Sequence, residues 1–318
     1  MNILVLGVSG FVGSWVAKVL LDQGFAVTGL VGSRSSSSWR VTWLDKRYDG
    51  FRLLTTDTFS VDGLIVSIPY GAHFDAIVNC IGGGMGPHQE VADLWEANVH
   101  VSYAAAQAAG DVGIPRLVVA GSALEYGFSD VYRTFDEDAP ARPTSMYSVT
   151  KAAGFVAVKE ACRLNGICLD YLRIFGALGP GDNPCRLLPY AIRTLLRGQE
   201  CDLTDGYQVR DFVAVEDVAR AFLAVLQWRS AHEVEVFNVA SARGTTVREL
   251  VGSVCRHLGV SDSLLQWGAR PNRKEEGRFL IGANEKIRSI VGWTPCVDLD
   301  SIVTKTVEYC RRASHPVG

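Results

Sequence analysis

The stretch 2-NILVLGVSGFVGSWVAKVLLDQG-24 opens the chain and decides how the rest is read. Ile3 to Leu6 form a short apolar run of the kind buried on both faces of a parallel sheet. Gly7, Gly10 and Gly13 follow at a spacing of three, and 12-VGSWVAKVLLDQG then carries apolar residues at helical spacing. The glycines therefore sit at a strand-to-helix turn. Glycine there permits φ > 0 and lets the backbone approach a pyrophosphate, which the helix N-terminus attracts. Gly7, Gly10, Phe11, Val12 and Gly13 are thus expected to line a dinucleotide, the plainer alternative being a tight turn without a ligand.

Outward from this unit the same alternation continues. The runs 26-AVTGLV, 51-FRLLTTD, 74-FDAIVNCIG, 116-RLVVAGS and 168-CLDYLRIF read as strands, with helical patterns at 93-DLWEANVHVSYAAAQAAG and from about 145 to 165. Such alternation predicts an α/β fold, a Rossmann-type doubly wound parallel sheet. After Phe175 the pattern loosens into 176-GALGPGDNP. A strand and helix return at 211-DFVAVEDVARAFLAVLQ, and the later part reads as an added lobe. The expected division is a discontinuous dinucleotide-binding domain, 1–175 and 209–240, and a smaller α/β substrate lobe, 176–208 and 241–318. The serine-rich 32-GSRSSSSW reads as a mobile loop.

Composition narrows the function. Lys plus Arg number 31 against 34 Asp plus Glu, so nothing suggests a basic stripe for nucleic acid. No apolar run reaches the roughly 18 residues of a membrane span, and 1-MNILVLGVSGF lacks a basic leader and a cleavage site. A soluble, cytoplasmic protein is expected. The eight cysteines include no C-x-x-C and no Cys/His cluster, so no metal is expected.

The end of the second strand bears on which dinucleotide binds. An acidic residue there would hold the adenosine ribose of NAD, whereas an arginine accommodates a 2′-phosphate. Here 27-VTGLVGSRSSSSWR has no carboxylate at the strand end and places Arg34 just beyond it, with Ser33 and Arg40 able to assist. NADP(H) is favoured on this ground, with NAD(H) the alternative. Asp57 closes the third strand and faces the adenine edge in this reading. The glycines from Gly82 follow the fourth strand, where the chain would pass the dinucleotide.

Three motifs in order, 7-GVSGFVG, 121-GSALEYG and 147-YSVTK, resemble the extended short-chain dehydrogenase/reductase family, within it the nucleotide-sugar epimerase, dehydratase and 4-ketoreductase branch. The resemblance extends through 207-YQVRDFVAVEDVARAF, 236-VFNVAS and 291-VGWTP. The chemistry suits the residue types. A ketone that accepts hydride needs a proton on its oxygen, and a phenol is a poor acid near neutrality unless an adjacent ammonium and a cationic ring favour phenolate. The resemblance implies that Tyr147 is the acid/base, that Lys151 tunes it and holds the nicotinamide ribose, and that Ser122, 25 residues before Tyr147, bonds the reacting oxygen. Asn98 occupies a position that the family uses to shape the site, through a kink or a water; a helix-packing amide is the alternative.

Departures from the family pattern refine the reaction. The dehydratases carry Asp-Glu after the hydroxyl residue, where this chain has Ala123 and Leu124, neither able to move a proton. Glu125, one place on, would face the other way and read as structural. Ala123 is expected beside the substrate. Arg210 and Arg273 stand where the family binds the substrate diphosphate. The family's R-x-x-N-x-x-G-P appears as 173-RIFGALGP, with Gly176 in place of the asparagine. The loop 85-MGPHQEV is a candidate lining of the sugar pocket. The preferred reading is NADPH-dependent reduction of a nucleotide-linked 4-keto-6-deoxy sugar. Its rivals are an NAD-dependent nucleotide-sugar epimerase, a reductase of a non-sugar ketone and a non-catalytic NADP(H)-binding regulator. The resemblance also implies a homodimer through the helices around 93–110 and 148–165.

Overall fold

The computed structural model describes residues 1–84, 90–228, 232–273 and 275–314. Strands β1 (Asn2–Leu6), β2 (Ala26–Gly32), β3 (Phe51–Thr56), β4 (Ala76–Asn79), β5 (Arg116–Ser122) and β6 (Cys168–Ile174) come first. Between them run helices α1 (Phe11–Asp22), α2 (Trp39–Arg47), α3 (Val61–Ser67), α4 (Val91–Trp95), α5 (Val101–Val112) and α6 (Met146–Asn165). Beyond β6 come β7 (Gly176–Leu178), α7 (Leu187–Leu196), β8 (Cys201–Leu203), β9 (Val209–Ala214), α8 (Val215–Gln227) and β10 (Val234–Val239). The chain closes with β11 (Gly244–Thr246), α9 (Val247–Leu258), β12 (Leu265–Trp267), β13 (Phe279–Leu280), α10 (Glu285–Val291) and α11 (Leu299–Ser314).

Seven strands form one parallel sheet in the order β10-β6-β5-β4-β1-β2-β3. Alternate residues of β1 explain why both faces are covered. Ile3 and Val5 enter a core with α1 and α8, whereas Leu4 and Leu6 enter a second core with α3, α5 and α6. All four are buried, and each such side chain contributes about 1.5–3 kcal/mol. The strand order reverses between β1 and β4, which opens a crevice at their carboxyl ends. The glycine turn and Gly82 lie at those two ends. This is the doubly wound α/β fold expected from the alternation.

A smaller sheet pairs β9 with β7, β11 and β13, and β8 pairs with β12. A third core gathers α7, α9 and α11 around Leu188, Ile192, Leu250, Val254 and Val303. Val209–Ala214 joins this smaller sheet, while the following α8 returns to pack against α1. The serine-rich stretch read as a loop carries a 3-10 turn at Ser33–Ser35 and runs into α2, which Ser38 immediately precedes. Among the described residues no helix is long and apolar enough to cross a membrane.

Candidate active site

The glycine turn forms first. Gly7 adopts φ +84°, a conformation that side chains other than glycine rarely take, and its carbonyl accepts from Gly10 N–H at 2.9 Å. A Cβ on Gly13 would stand 2.2 Å from that carbonyl oxygen, so α1 can approach the turn only with glycine there. At Gly10 an added Cβ would meet nothing but Gly7 O, at 3.2 Å; that side of the turn is open. No side chain caps the N-terminus of α1, and its first turn holds no acidic residue. Open space, free helix amides and the absence of a competing carboxylate fit a dinucleotide pyrophosphate against Gly10, Phe11 and Val12.

Across the crevice, Lys151 is buried on α6, and its Nζ donates to the Ala120 carbonyl at 3.0 Å. Gly82 lies directly against it, for a Cβ there would be 2.8 Å from Nζ and 3.2 Å from Asn98 Oδ1. Asn98 Oδ1 accepts from Gly83 N–H, while its amide nitrogen donates to Thr150 Oγ1, both at 3.0 Å. Thr150 Oγ1 in turn donates to the Tyr147 carbonyl at 2.9 Å. Asn98 sits in a π-helical turn, Glu96–His100, between α4 and α5. A Cβ on Gly154 would be 2.1 Å from the Asn98 carbonyl, so α6 presses on the widened turn. Asn98 is thus a packing amide at a local distortion of the helix. Thr150 was not singled out from the sequence, where a threonine inside 147-YSVTK carries no distinguishing signal.

Tyr147 is the second residue of α6, half-buried, one turn before Lys151. Ser145 begins the helix: its Oγ accepts from Ser148 N–H, and Gly166 ends it in the left-handed region. Helix α6 packs on β5 and on the short turn Ala123–Tyr126 that follows it. Ser122 is buried at the junction, where its Oγ accepts from Leu124 N–H at 3.2 Å. Ala123 is buried beside it. Glu125 does turn inward. It is wholly buried and paired with Arg173 at 3.1 Å. Nearby Cys80 faces α1, and burial pushes its thiol up to about 12. Among the described residues no group of three or more His, Cys, Asp or Glu could hold a metal.

At the end of β2, where the adenosine was expected, Arg34 and Asp57 are both exposed. Ser33 Oγ donates to Asp57 Oδ1 at 2.6 Å, so a carboxylate reaches the end of β2 from the neighbouring strand. Arg40 is committed elsewhere. It donates to the Ser9 carbonyl at 3.3 Å and to the Gly181 carbonyl, tying the glycine turn to the loop after β7.

Of the residues expected to meet the substrate, Arg210 lies on β9 with its guanidinium 4.7 Å over the Phe128 ring. Its Nη atoms donate to the carbonyls of Val209, Gly277 and Arg278, and to Glu276 Oε2 at 3.2 Å. The other oxygen of Glu276 stands 3.7 Å from exposed Arg273. One carboxylate therefore sits between the two expected phosphate arginines. Beside them an open cavity of about 490 Å³ is lined by Asp205, Tyr207, Gln208, Asn272, Glu276 and Arg278. Gly176 has no room for a side chain, since a Cβ would be 2.8 Å from the Asp211 carbonyl. Residues 85–89 of the loop 85-MGPHQEV lie outside the described residues.

Comparison with known proteins agrees with this architecture. Residues 3–240 match the family described as the NAD dependent epimerase/dehydratase family. A UDP-glucose 4-epimerase of Corynebacterium glutamicum is 27% identical over 95% of this chain and 94% of its own length. A dTDP-6-deoxy-L-talose 4-dehydrogenase (NAD(P)(+)) of Kitasatospora kifunensis is 28% identical over 92% of this chain and 91% of its own. The structure of DesIV, a dTDP-glucose 4,6-dehydratase of Streptomyces venezuelae with NAD and TYD bound, superposes with a TM-score of 0.87. It is 25% identical, over 98% of this chain and 97% of that one. With the glycine turn, the Lys151 cluster and a family match over most of its length, this chain belongs to the NAD dependent epimerase/dehydratase family.

Proposed function

We propose that the protein reduces the keto group of a nucleotide-linked 4-keto-6-deoxy sugar, with NADPH as the consumed reductant. The observation that carries this reading is the placement of Ser122, Tyr147 and Lys151 on β5 and α6, with Lys151 held between the Ala120 carbonyl and Gly82. In this account the bound nicotinamide supplies the hydride. Tyr147 gives the proton to the nascent alkoxide, Ser122 donates to the same oxygen, and the Lys151 ammonium stabilises the phenolate left behind. Asn98 and Thr150 keep α6 in register with the glycine-rich segment from Gly82.

Elimination of water is disfavoured because Ala123 and Leu124 cannot transfer protons and Glu125 is buried in an ion pair. NADPH is preferred over NADH because β2 ends without a carboxylate and exposed Arg34 follows it. The name of the Kitasatospora relative, a 4-dehydrogenase using NAD(P)(+), supports a net redox reaction at C4. A second reading, an NAD-dependent nucleotide-sugar epimerase, has two supports: the carboxylate of Asp57 held at Ser33, and the Corynebacterium relative. We further propose that Arg210 and Arg273 take the substrate diphosphate. Residues 1–175 and 209–240, apart from Arg210 on β9, would then serve the cofactor, and the remaining lobe the nucleotide sugar. A homodimer would form through α5 and α6, where Tyr103, Val156 and Leu164 are exposed.

The test mixes purified protein, NADPH and a panel of nucleotide 4-keto-6-deoxy sugars while following absorbance of the reduced ring. Consumption of NADPH with one of them is expected. No consumption, together with interconversion of hexose epimers and no added reductant, would establish the epimerase instead.

A further inference from the structure

Glu125 is a charged residue with no exposure, at a place where the sequence reading gave it only a structural part. An isolated buried carboxylate is strongly unfavourable, so its partners show what it is for. Oε1 accepts from Ser122 N–H at 2.8 Å and from the Tyr171 hydroxyl at 2.8 Å. Oε2 accepts from Arg173 Nε at 3.1 Å. The one Tyr171 hydroxyl proton is shared more weakly with the carbonyl oxygen of Lys151, 3.3 Å away. Arg173 Nη1 reaches the Tyr126 hydroxyl at 2.8 Å and the Glu137 carbonyl at 3.3 Å. Tyr126 in turn donates to Asn238 at 2.8 Å.

Two of these contacts end on backbone atoms of proposed reaction residues. Ser122 Oγ caps the turn through Leu124 N–H while Ser122 N–H is held by Glu125, so the two bonds together orient the Ser122 turn. The Lys151 carbonyl belongs to the helix that carries Tyr147. We propose that Glu125 is a positioning residue for the reaction: one buried carboxylate, through Ser122 N–H and through the Tyr171 hydroxyl to the Lys151 carbonyl, sets the spacing between β5 and α6. The inference rests on the roles given to Ser122, Tyr147 and Lys151 above. Arg173 neutralises the carboxylate, and its guanidinium lies 4.6 Å over the Tyr126 ring and 5.4 Å over Phe155, so the anchor itself is held. Burial, and then the adjacent Glu125, hold the Tyr171 phenol well above its ordinary range.

Tyr171→Phe tests the link with little change of volume. It should lower kcat about tenfold while KM and NADPH affinity stay within about twofold, the pattern of a geometry lost in the transition state. Glu125→Gln, which keeps the shape but turns a donor toward Arg173, should lower kcat about a hundredfold or more, and Glu125→Asp should recover part of it. Amide exchange in the segment 116–127 should be faster in Glu125→Gln than in the parent. Full kcat in Tyr171→Phe would overturn the proposal. So would a loss of kcat and cofactor affinity in equal measure alongside a collapsed melting temperature, which marks general loosening. Parent turnover in either the reductive or the epimerising assay serves as reference, so the reductase reading can fail without ending this test. If the parent turned over in neither, exchange decides: unchanged protection of 116–127 in Glu125→Gln contradicts the proposal.

Discussion

The two sides of the crevice are built in opposite ways. On the cofactor side the glycine turn, Gly82, Asn98, Thr150 and Lys151 are close-packed, and the side chains of Asn98, Thr150 and Lys151 each have a fold-internal partner, only the amides at the start of α1 being left free. On the substrate side, Arg210 and Arg273 share the single carboxylate of Glu276 at the edge of an open cavity. The first arrangement is complete before any ligand arrives, because backbone approach and buried hydrogen bonds leave it no alternative. The second holds its cations on a protein anion, which in the proposed function a substrate diphosphate would displace. In the proposed function the fold is thus most rigid where hydride transfer needs geometry, and relies on an exchangeable ion pair where the substrate would bind.

This contrast can be broken from either side. The largest effect is expected for Gly13→Ala, since its Cβ would be 2.2 Å from a backbone oxygen that cannot move without the turn. Dinucleotide affinity, read by fluorescence titration, should fall roughly a thousandfold or more, because helix and turn part. Near-normal binding would show that the turn is not the preformed element described here.

Asp211 comes next. It accepts from Ser241 N–H and Oγ–H, from Ala242 N–H at φ +59° and from Gly282 N–H, and so anchors the strand that carries Arg210. Burial pushes its carboxyl up to about 6 against those bonds. The folded state therefore holds the proton more tightly than the unfolded chain, whose ordinary value is 3.8. The associated stability is fully present below that ordinary value and is lost as pH rises through about 6. Denaturant unfolding of the parent and of Asp211→Asn should show the parent losing up to about 3 kcal/mol relative to the variant between pH 4 and 7. A gap that does not change with pH would contradict the assignment.

The smallest effect is expected for Glu276→Gln. With the partly exposed carboxylate gone, binding of a nucleoside diphosphate should tighten about fivefold, solvent screening limiting the gain. Weaker binding would mean that Glu276 itself contacts the nucleotide, and that the substrate side is as preformed as the cofactor side.

What the sequence revealed follows the same division. The β1–turn–α1 unit was legible because glycine spacing and apolar period are local, and α6 was read from 145 to 165 against Met146–Asn165 observed. Helix α2 was hidden. Its two tryptophans, Trp39 and Trp43, are exposed and only Val41 and Leu44 are buried, so no apolar stripe marks it after the serine run. The π-helical turn at Asn98 had no local signal either, since it faces Gly154, 56 residues away in the chain. Arg173 did carry a signal, a charge inside the apolar strand 168-CLDYLRIF that must have a buried partner, which proved to be Glu125. The pairing of Arg210 with Glu276 bridges 66 residues, and no sequence pattern announces such a contact.

The central claim is that Tyr147 delivers the proton at a site whose cofactor side is already complete. Single-turnover oxidation of NADPH by Tyr147→Phe, run beside a cofactor titration, measures it most directly. The rate should fall about a thousandfold or more while the dissociation constant for NADPH moves by less than about twofold. A variant that kept more than about a tenth of the parent rate would show that the proton comes from elsewhere.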